Sequence, residues 1–233
     1  MITLLVPAYN EEESIFALVH ALHERVQLAE AFEILVVNDG SRDATREILA
    51  TLQQSIPALR VVEHAENMGL GCALRSGFRA ARGRIVVTMD ADLTHPPELI
   101  SSMIGGTADV VIASRYVRGG GMAGVPWWRV VISVVANAGF RLLFGTRVRD
   151  ITAGFKAYQA ERIRSLDITS RGFEAQLEIT IRLLAQGATF DEIPYVLTTR
   201  QHGGASKMRY LKLISTYSRL LPRLLALRWR RKK

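Results

Sequence analysis

The chain is predicted to fold as an α/β protein, with a mostly parallel sheet flanked by helices on both faces. Three observations carry that prediction. Apolar runs of strand length alternate with helical patterns through the first half. Several of those strands are apolar throughout, the mark of burial on both faces of a parallel sheet. Polar clusters then follow three strands at their carboxyl ends, where ligands bind in such sheets. With 233 residues, 48% of them hydrophobic, the chain can bury one sizeable core with a small appended element.

The elements follow in order. Strands are predicted at Ile2–Val6, Glu33–Val37, Leu59–Glu63, Ile85–Met89 and Asp109–Ser114. Helices are predicted between them at Glu11–Ala29, Asp43–Gln54, Gly69–Ala81 and Pro97–Met103, with start signals such as Asp43 and Pro96–Pro97. The second half changes character. Gly119-Gly120-Gly121 with Gly124 predicts a mobile loop that closes over a bound ligand. Val125–Phe144 reads as a largely apolar helix opening on Trp127 and Trp128, and both rings fit a lipid headgroup interface. A helix at Gly172–Gln186, a strand at Thr189–Tyr195 and a basic amphipathic stretch at Lys207–Trp229 complete the chain, with Pro222 expected to kink or restart the last helix. No repeat or linker divides the sequence.

Charge is unevenly placed. Residues 193–233 hold eleven Lys or Arg and no acid, whereas the first 192 hold 19 basic against 22 acidic residues, a net of −3. A basic arm on a neutral-to-acidic body points to an anionic surface as partner. Acidic lipid fits better than nucleic acid, because no nucleic-acid-binding fold accompanies the arm. The longest apolar run lies between Arg129 and Arg141; its eleven residues fall short of the roughly 20 that cross a bilayer, so the chain is not expected to span one by itself. The single cysteine, Cys72, excludes an internal disulfide framework and fits a reducing compartment. No leader is expected ahead of the first strand.

Asp90 and Asp92 follow an apolar strand one residue apart. On an extended segment that spacing turns both carboxylates to one side. Two hard oxygen ligands there suit Mg²⁺ or Mn²⁺ and, through the ion, a nucleoside diphosphate. Any surface turn can also carry Asp-x-Asp. Val6-Pro7-Ala8-Tyr9-Asn10-Glu11 reads either as a turn with a cap or as a nucleobase shelf, with Tyr9 beneath the base and Glu11 nearby. Asn38-Asp39-Gly40-Ser41-Arg42-Asp43 is either a helix start or a place where Asp39 accepts hydrogen bonds from a base or ribose. Asn67-Met68-Gly69-Leu70-Gly71 lacks the third glycine of a dinucleotide loop, having Leu74 there, and reads as a closely packed helix start. His95, His202 and Cys72 read as structural, and five scattered histidines make no zinc site.

Together, Pro7-Ala8-Tyr9-Asn10-Glu11, Asn38-Asp39-Gly40-Ser41 and Asp90-Ala91-Asp92 resemble the family-2 glycosyltransferases of the GT-A nucleotide-diphospho-sugar fold. The resemblance covers about residues 1–115. Further residues resemble the dolichyl- or polyprenyl-phosphate mannosyltransferases: Ser114-Arg115-Tyr116, Trp128-Arg129, Asp150-Ile151-Thr152-Ala153-Gly154-Phe155-Lys156, Gly172-Phe173-Glu174 and Gly204-Ala205-Ser206-Lys207. The resemblance implies a domain over 1–206, including an acceptor loop and interface helix at 117–145, and a membrane-associating tail at 207–233. It implies that Pro7, Tyr9, Glu11, Val37 and Asp39 hold the nucleoside. Asp90, Ala91 and Asp92 would sit at the diphosphate, with both carboxylates on the metal. Arg115, Arg200, Ser206 and Lys207 would neutralise phosphates, and Arg129 would bind the acceptor phosphate.

Three departures stand out. Thr94 stands in the substrate site where Gln is frequent, a shorter ligand that leaves part of that place to water; Ala153 replaces Ser, and Arg200 lies one residue further from Ser206-Lys207 than is usual.

The chemistry implied is transfer of mannose from GDP-mannose to a dolichyl or polyprenyl phosphate, with inversion, on the cytoplasmic face of a membrane. A phosphate acceptor is already anionic and needs no general base; an acceptor hydroxyl would need one, with Glu174 the candidate and Asp150 a weaker one. Arg115 and Arg129 could instead be ordinary surface arginines. UDP-glucose as donor, and a non-catalytic nucleotide- or lipid-binding subunit, are the alternatives; the intact Asp-x-Asp argues against the second. The resemblance leaves open recruitment by a small membrane-protein partner.

Overall fold

A computed structural model describes residues 1–198 and 210–230, with side chains of the last helix described over 216–226. The predicted site residues Arg200, Ser206 and Lys207 lie outside the described residues, as do the side chains of Arg228 and Arg230 and the whole of 231–233.

Seven strands form one sheet in the order β3-β2-β1-β4-β7-β5-β8. They are β1 (Ile2–Ala8), β2 (Phe32–Asn38), β3 (Leu59–Glu63), β4 (Ile85–Thr88), β5 (Val110–Ser114), β7 (Lys156–Gln159) and β8 (Phe190–Pro194). The five strands predicted in the first half are present, all parallel where they pair with one another, and α1 (Ile15–Arg25), α2 (Thr45–Ser55) and α3 (Leu70–Ala80) connect the first four. A 3₁₀ turn at Pro97–Leu99 leads into the short α4 (Ile100–Ile104).

Period-two alternation explains the two-sided burial. Leu5, Leu35, Val37 and Val86 face one core, under α3 and α7 (Ala175–Ala185), whereas Leu4, Val6, Ile34, Val36 and Val87 face the other, under α1 and α2. The order turns back between β1 and β4, so the carboxyl ends of β1, β2 and β4 open onto one crevice.

One strand of this sheet was not predicted. β7 inserts between β4 and β5 and runs antiparallel to both. Its first residue, Lys156, is fully buried, and its Nζ donates to Ile151 O at 3.2 Å, Gln176 O at 3.4 Å and Thr180 Oγ1 at 2.7 Å. Burial pushes the amine down to about 7 from 10.5. Between those values the unfolded chain binds more protons than the folded one, so this group makes stability rise with pH across that window. Lys156→Met is expected to flatten the rise. The Thr180 hydroxyl still faces Ile151 O and Gln176 O in that variant. Urea midpoints for both proteins between about pH 7 and pH 9 check it.

Three further expectations are corrected. The glycine loop is tied down, because β6 (Gly121–Met122) pairs in parallel with β9 (Val196–Leu197) and Gly121 N donates to Tyr195 O. The last helix, α8 (Tyr210–Arg230), does not restart at Pro222 but runs on through it. Over its described side chains, 216–226, the apolar face turns to the body: Leu220 and Leu224 are buried, and Tyr217, Leu221 and Leu225 pack against the same core, leaving Arg219 and Arg223 outward.

The apolar exposed surface belongs instead to α5 (Trp127–Phe144), where Trp127, Trp128, Val131, Ile132, Val134, Val135 and Leu142 are all exposed. This 18-residue helix is long and apolar enough to cross a membrane by length and composition alone.

Candidate functional site

The first two polar clusters are stitched together where β1 and β2 end. Asn10 takes a left-handed backbone (φ 53°), its amide donates to Ser41 Oγ and its side-chain oxygen accepts from Arg42 N at 2.9 Å. Ser41 Oγ donates to Asn38 Oδ1, and Glu11 N donates to Thr45 Oγ1. Pro7, Tyr9 and Glu11 remain partly exposed along this rim. The Val37 side chain is wholly buried in the core beneath α3, which leaves its backbone to meet this rim. Asp39 is buried as well, and its carboxylate is held by three protein donors. His64 Nδ1 lies 2.6 Å from Oδ1, Met68 N donates to Oδ1, and Gly69 N donates to Oδ2 at 2.7 Å. This carboxylate therefore fixes the loop that enters α3.

The Asp90–Asp92 geometry differs from the expected one. β4 ends at Thr88, and Leu93 has φ 60°, so a turn rather than strand alternation sets the two carboxylates. Asp92 is buried and its Oδ1 accepts from Thr94 N and, at 2.6 Å, from Thr94 Oγ1. Thr94 thus orients Asp92, and its own carbonyl accepts from Tyr195 Oη at 2.6 Å. Asp90 is 46% exposed at the mouth of the crevice, while Ala91 between them is buried.

His95 braces this turn, stacked on Phe155 at 4.7 Å with its Nδ1 accepting from Asp90 N. That bond places the ring proton on Nε2, 3.8 Å from Asp90 Oδ2. Burial pushes this imidazole toward its neutral form, although both aspartates pull the other way.

The donor set fits Mg²⁺ or Mn²⁺. The backbone of Gly154 passes so close that a Cβ there would lie 3.3 Å from Asp90 Oδ1, so glycine keeps the space beside that carboxylate. Among the described residues no group of three or more His, Cys, Asp and Glu gathers into a metal cage. Two carboxylates leave the remaining positions to water and phosphate oxygens, the arrangement Mg²⁺ favours.

Arg115 leaves the end of β5 toward the same crevice. It is no surface arginine. Its Nε and Nη2 donate to the two oxygens of Asp150 at 2.8 and 2.7 Å, and Asp150 is fully buried. Burial opposes the guanidinium's charge, but the Asp150 hydrogen bonds and charge outweigh it and raise its pKa. Asp150 is thereby committed to Arg115. The other base candidate, Glu174, is buried with Oε1 accepting from Gly172 N at 3.0 Å. Arg129 lies on α5 with its guanidinium over the Trp128 ring, 5.1 Å from the centroid.

Sequence reasoning missed Phe155, Tyr195 and Gln176 as site residues. The first two are plain core types whose role appears only in three dimensions. Gln176, on α7, is buried with its amide oxygen lacking a partner among the described residues, and its Nε2 lies 3.7 Å from the Cβ position on Gly154.

Comparison with known proteins agrees with this architecture. Residues 3–166 match the model of the glycosyl transferase family 2 domain. The chain is 36% identical over 215 residues to the polyprenol monophosphomannose synthase of Mycolicibacterium smegmatis, covering 88% of this chain and 80% of that one. It is 35% identical over 212 residues to the undecaprenyl-phosphate mannosyltransferase of Micrococcus luteus, covering 88% and 86%. It is 33% identical over 230 residues to the dolichol-phosphate mannosyltransferase of Pyrococcus furiosus, covering 96% of this chain but 63% of that longer protein.

Among solved structures, glucosyl-3-phosphoglycerate synthase from Mycobacterium tuberculosis superimposes with a TM-score of 0.70 at 23% identity, covering 98% of this chain and 78% of that one. That structure holds Mn²⁺, uridine diphosphate and phosphoglyceric acid. Another structure of the same enzyme, TM-score 0.69 with the same identity, holds Mg²⁺ and uridine diphosphate. At that identity the likeness shows the fold, a GT-A arrangement with a mostly parallel sheet between helices. By the family match and by relatives this similar across most of its length, the chain belongs to glycosyl transferase family 2.

Proposed function

We propose that this chain transfers mannose from GDP-mannose to a polyprenyl phosphate, with inversion, at the cytoplasmic face of a membrane. The observation that carries the reading is the meeting of two strand ends. The Asp90–Asp92 turn and the buried Arg115–Asp150 pair share one crevice, in a chain whose relatives are polyprenyl-phosphate mannosyltransferases. Tyr9, Glu11 and Pro7 on the rim hold the nucleoside, with Asp39 fixing the loop behind them. Asp90 and Asp92 hold the divalent ion, which when bound stabilises charge on the diphosphate.

A phosphate oxygen of the acceptor attacks the anomeric carbon. The bond from that carbon to the diphosphate breaks and its electron pair leaves with the nucleotide. No proton must be removed, in keeping with an Asp150 engaged by Arg115 and a Glu174 turned to Gly172. Arg115 counters the repulsion between the two phosphate groups, held in place by Asp150 so that little reorganisation is needed during transfer. Arg129, Arg200, Ser206 and Lys207 complete the phosphate contacts. The exposed apolar face of α5, with Trp127 and Trp128 at its start, rests in the headgroup region. The basic residues of the C-terminal stretch meet anionic lipid there.

The test supplies purified protein with radiolabelled GDP-mannose or UDP-glucose, a polyprenyl phosphate and Mg²⁺ or Mn²⁺, and follows label into the organic phase. Extractable, metal-dependent label from GDP-mannose alone is expected. Label from UDP-glucose instead would reassign the donor, and none from either would overturn the reaction.

A further inference from the structure

The stripe of α5 that faces the body consists of Ser133, Asn137, Phe140 and Phe144, spaced i, i+4, i+7 and i+11 along one side of the helix. Its two halves are held differently. Phe140 and Phe144 pack into the core beside α8. Ser133 and Asn137, nearer the crevice, are held by hydrogen bonds.

Asn137 is 2% exposed in a helix whose other buried residue is Phe144, and both ends of its amide are used. Its Oδ1 accepts from Ile151 N at 3.0 Å and Thr152 N at 3.4 Å, while its Nδ2 donates to Ser133 O and to Thr152 Oγ1 at 3.1 Å. Ser133 Oγ lies 2.6 Å from the Tyr116 hydroxyl. The contacts that leave the helix end one or two residues from the buried ion pair. Ile151 and Thr152 follow Asp150, and Tyr116 follows Arg115, whose backbone N also donates to Asp150 Oδ2 at 3.0 Å.

A leucine would fill the Asn137 site if packing alone were required. A buried amide costs free energy unless it is fully bonded, and here every bond goes to its own helix or to the segment that carries Asp150.

We propose that Asn137 and Ser133 are positioning residues, a polar latch through which the lipid-facing helix α5 sets the position of the Arg115–Asp150 pair. This rests on the reading of α5 as a membrane-contacting helix. Seating α5 in a bilayer restrains it along its outward face. The latch carries that restraint to Ile151, Thr152 and Tyr116, and so holds Arg115 where the acceptor phosphate arrives. A shift of about 1 Å in such a group can cost on the order of 100-fold in rate, so a latch of four hydrogen bonds is enough to matter.

The experiment is hydrogen exchange on the full chain, with and without mixed phosphatidylcholine–phosphatidylglycerol vesicles, following the peptide over 113–117 that contains the Arg115 amide. That amide contacts neither latch residue. In the unmodified protein, vesicles are expected to slow exchange in both α5 and 113–117. In Asn137→Leu and Ser133→Ala, whose altered side chains face the body, vesicle co-sedimentation is expected to stay within twofold and α5 to remain protected, while the 113–117 response is lost or halved. Asn137→Asp, which keeps an acceptor for Ile151 N and Thr152 N, is expected to retain it. An unchanged response in both Asn137→Leu and Ser133→Ala overturns the latch, as does vesicle binding by the unmodified protein without any effect at 113–117. If the unmodified protein does not bind vesicles, the membrane reading of α5 fails and the latch with it.

Discussion

Asp90→Asn and Asp92→Asn are each expected to slow sugar transfer by about three orders of magnitude. An amide keeps the size of the carboxylate but not its charge, so in the proposed mechanism the divalent ion would lose a principal anchor. The several kcal/mol of charge stabilisation it supplies convert at about 1.4 kcal/mol per tenfold in rate. Stability should hardly move. Asp90 is half-exposed, and at Asp92 an amide oxygen can still accept from the Thr94 amide and hydroxyl. Transfer rate against Mn²⁺ concentration, with urea midpoints alongside, checks both parts. Excess metal is expected to recover some of the Asp90→Asn rate, because weaker affinity yields to concentration. A rate near that of the unmodified protein in either variant would remove the metal from the mechanism.

The other large effect concerns stability. Asp150→Leu strands the Arg115 guanidinium, which is itself 16% exposed, without its only described carboxylate partner. Removing one member of a buried ion pair costs about 3–5 kcal/mol, a large share of the 5–15 kcal/mol that typically separates folded from unfolded states. Arg115→Met together with Asp150→Leu is expected to recover most of the loss, since no uncompensated charge remains. Denaturant unfolding of the two singles and the double gives the coupling directly. The double should be stable and inactive, which would separate what the pair does for the fold from what Arg115 does for the phosphate. Equal destabilisation in all three variants would show that packing, not charge, sets the cost.

Much of the nucleotide half was legible because its signals are local. Strands such as Ile85–Thr88 are short apolar runs, and the residues that turn toward the crevice follow closely on β1, β2 and β4. The acceptor half depends on distant partners. Arg115 and Asp150 are 35 residues apart, and nothing near either marks the other as its partner. β7 was missed because Lys156-Ala-Tyr-Gln opens on a lysine, a residue type seldom buried, and only β4 and β5 on either side make it a central strand. The amphipathic pattern of α8 was read as lipid-facing because the same periodicity serves a core and a bilayer equally well. The Asp-x-Asp spacing was read as strand alternation because the reversal at Leu93 leaves no mark in the residue type.

The inserted antiparallel strand also fixes an order of assembly. As the chain is made, β1 to β4 can pair as soon as residue 88 is available, because each new parallel strand joins a neighbour already made. β5 cannot join them. It is made before β7, yet it touches that sheet only through β7, whose residues come about seventy positions after β4. Until then β4 and β5 each carry an open hydrogen-bonding edge, the kind that invites pairing with another chain. Closing so long a loop is slow compared with forming local contacts. The nucleotide half should therefore be formed well before the acceptor half. A nascent or truncated chain that stops short of residue 159 would then be a half-sheet with its sticky edge exposed, a natural client for chaperones.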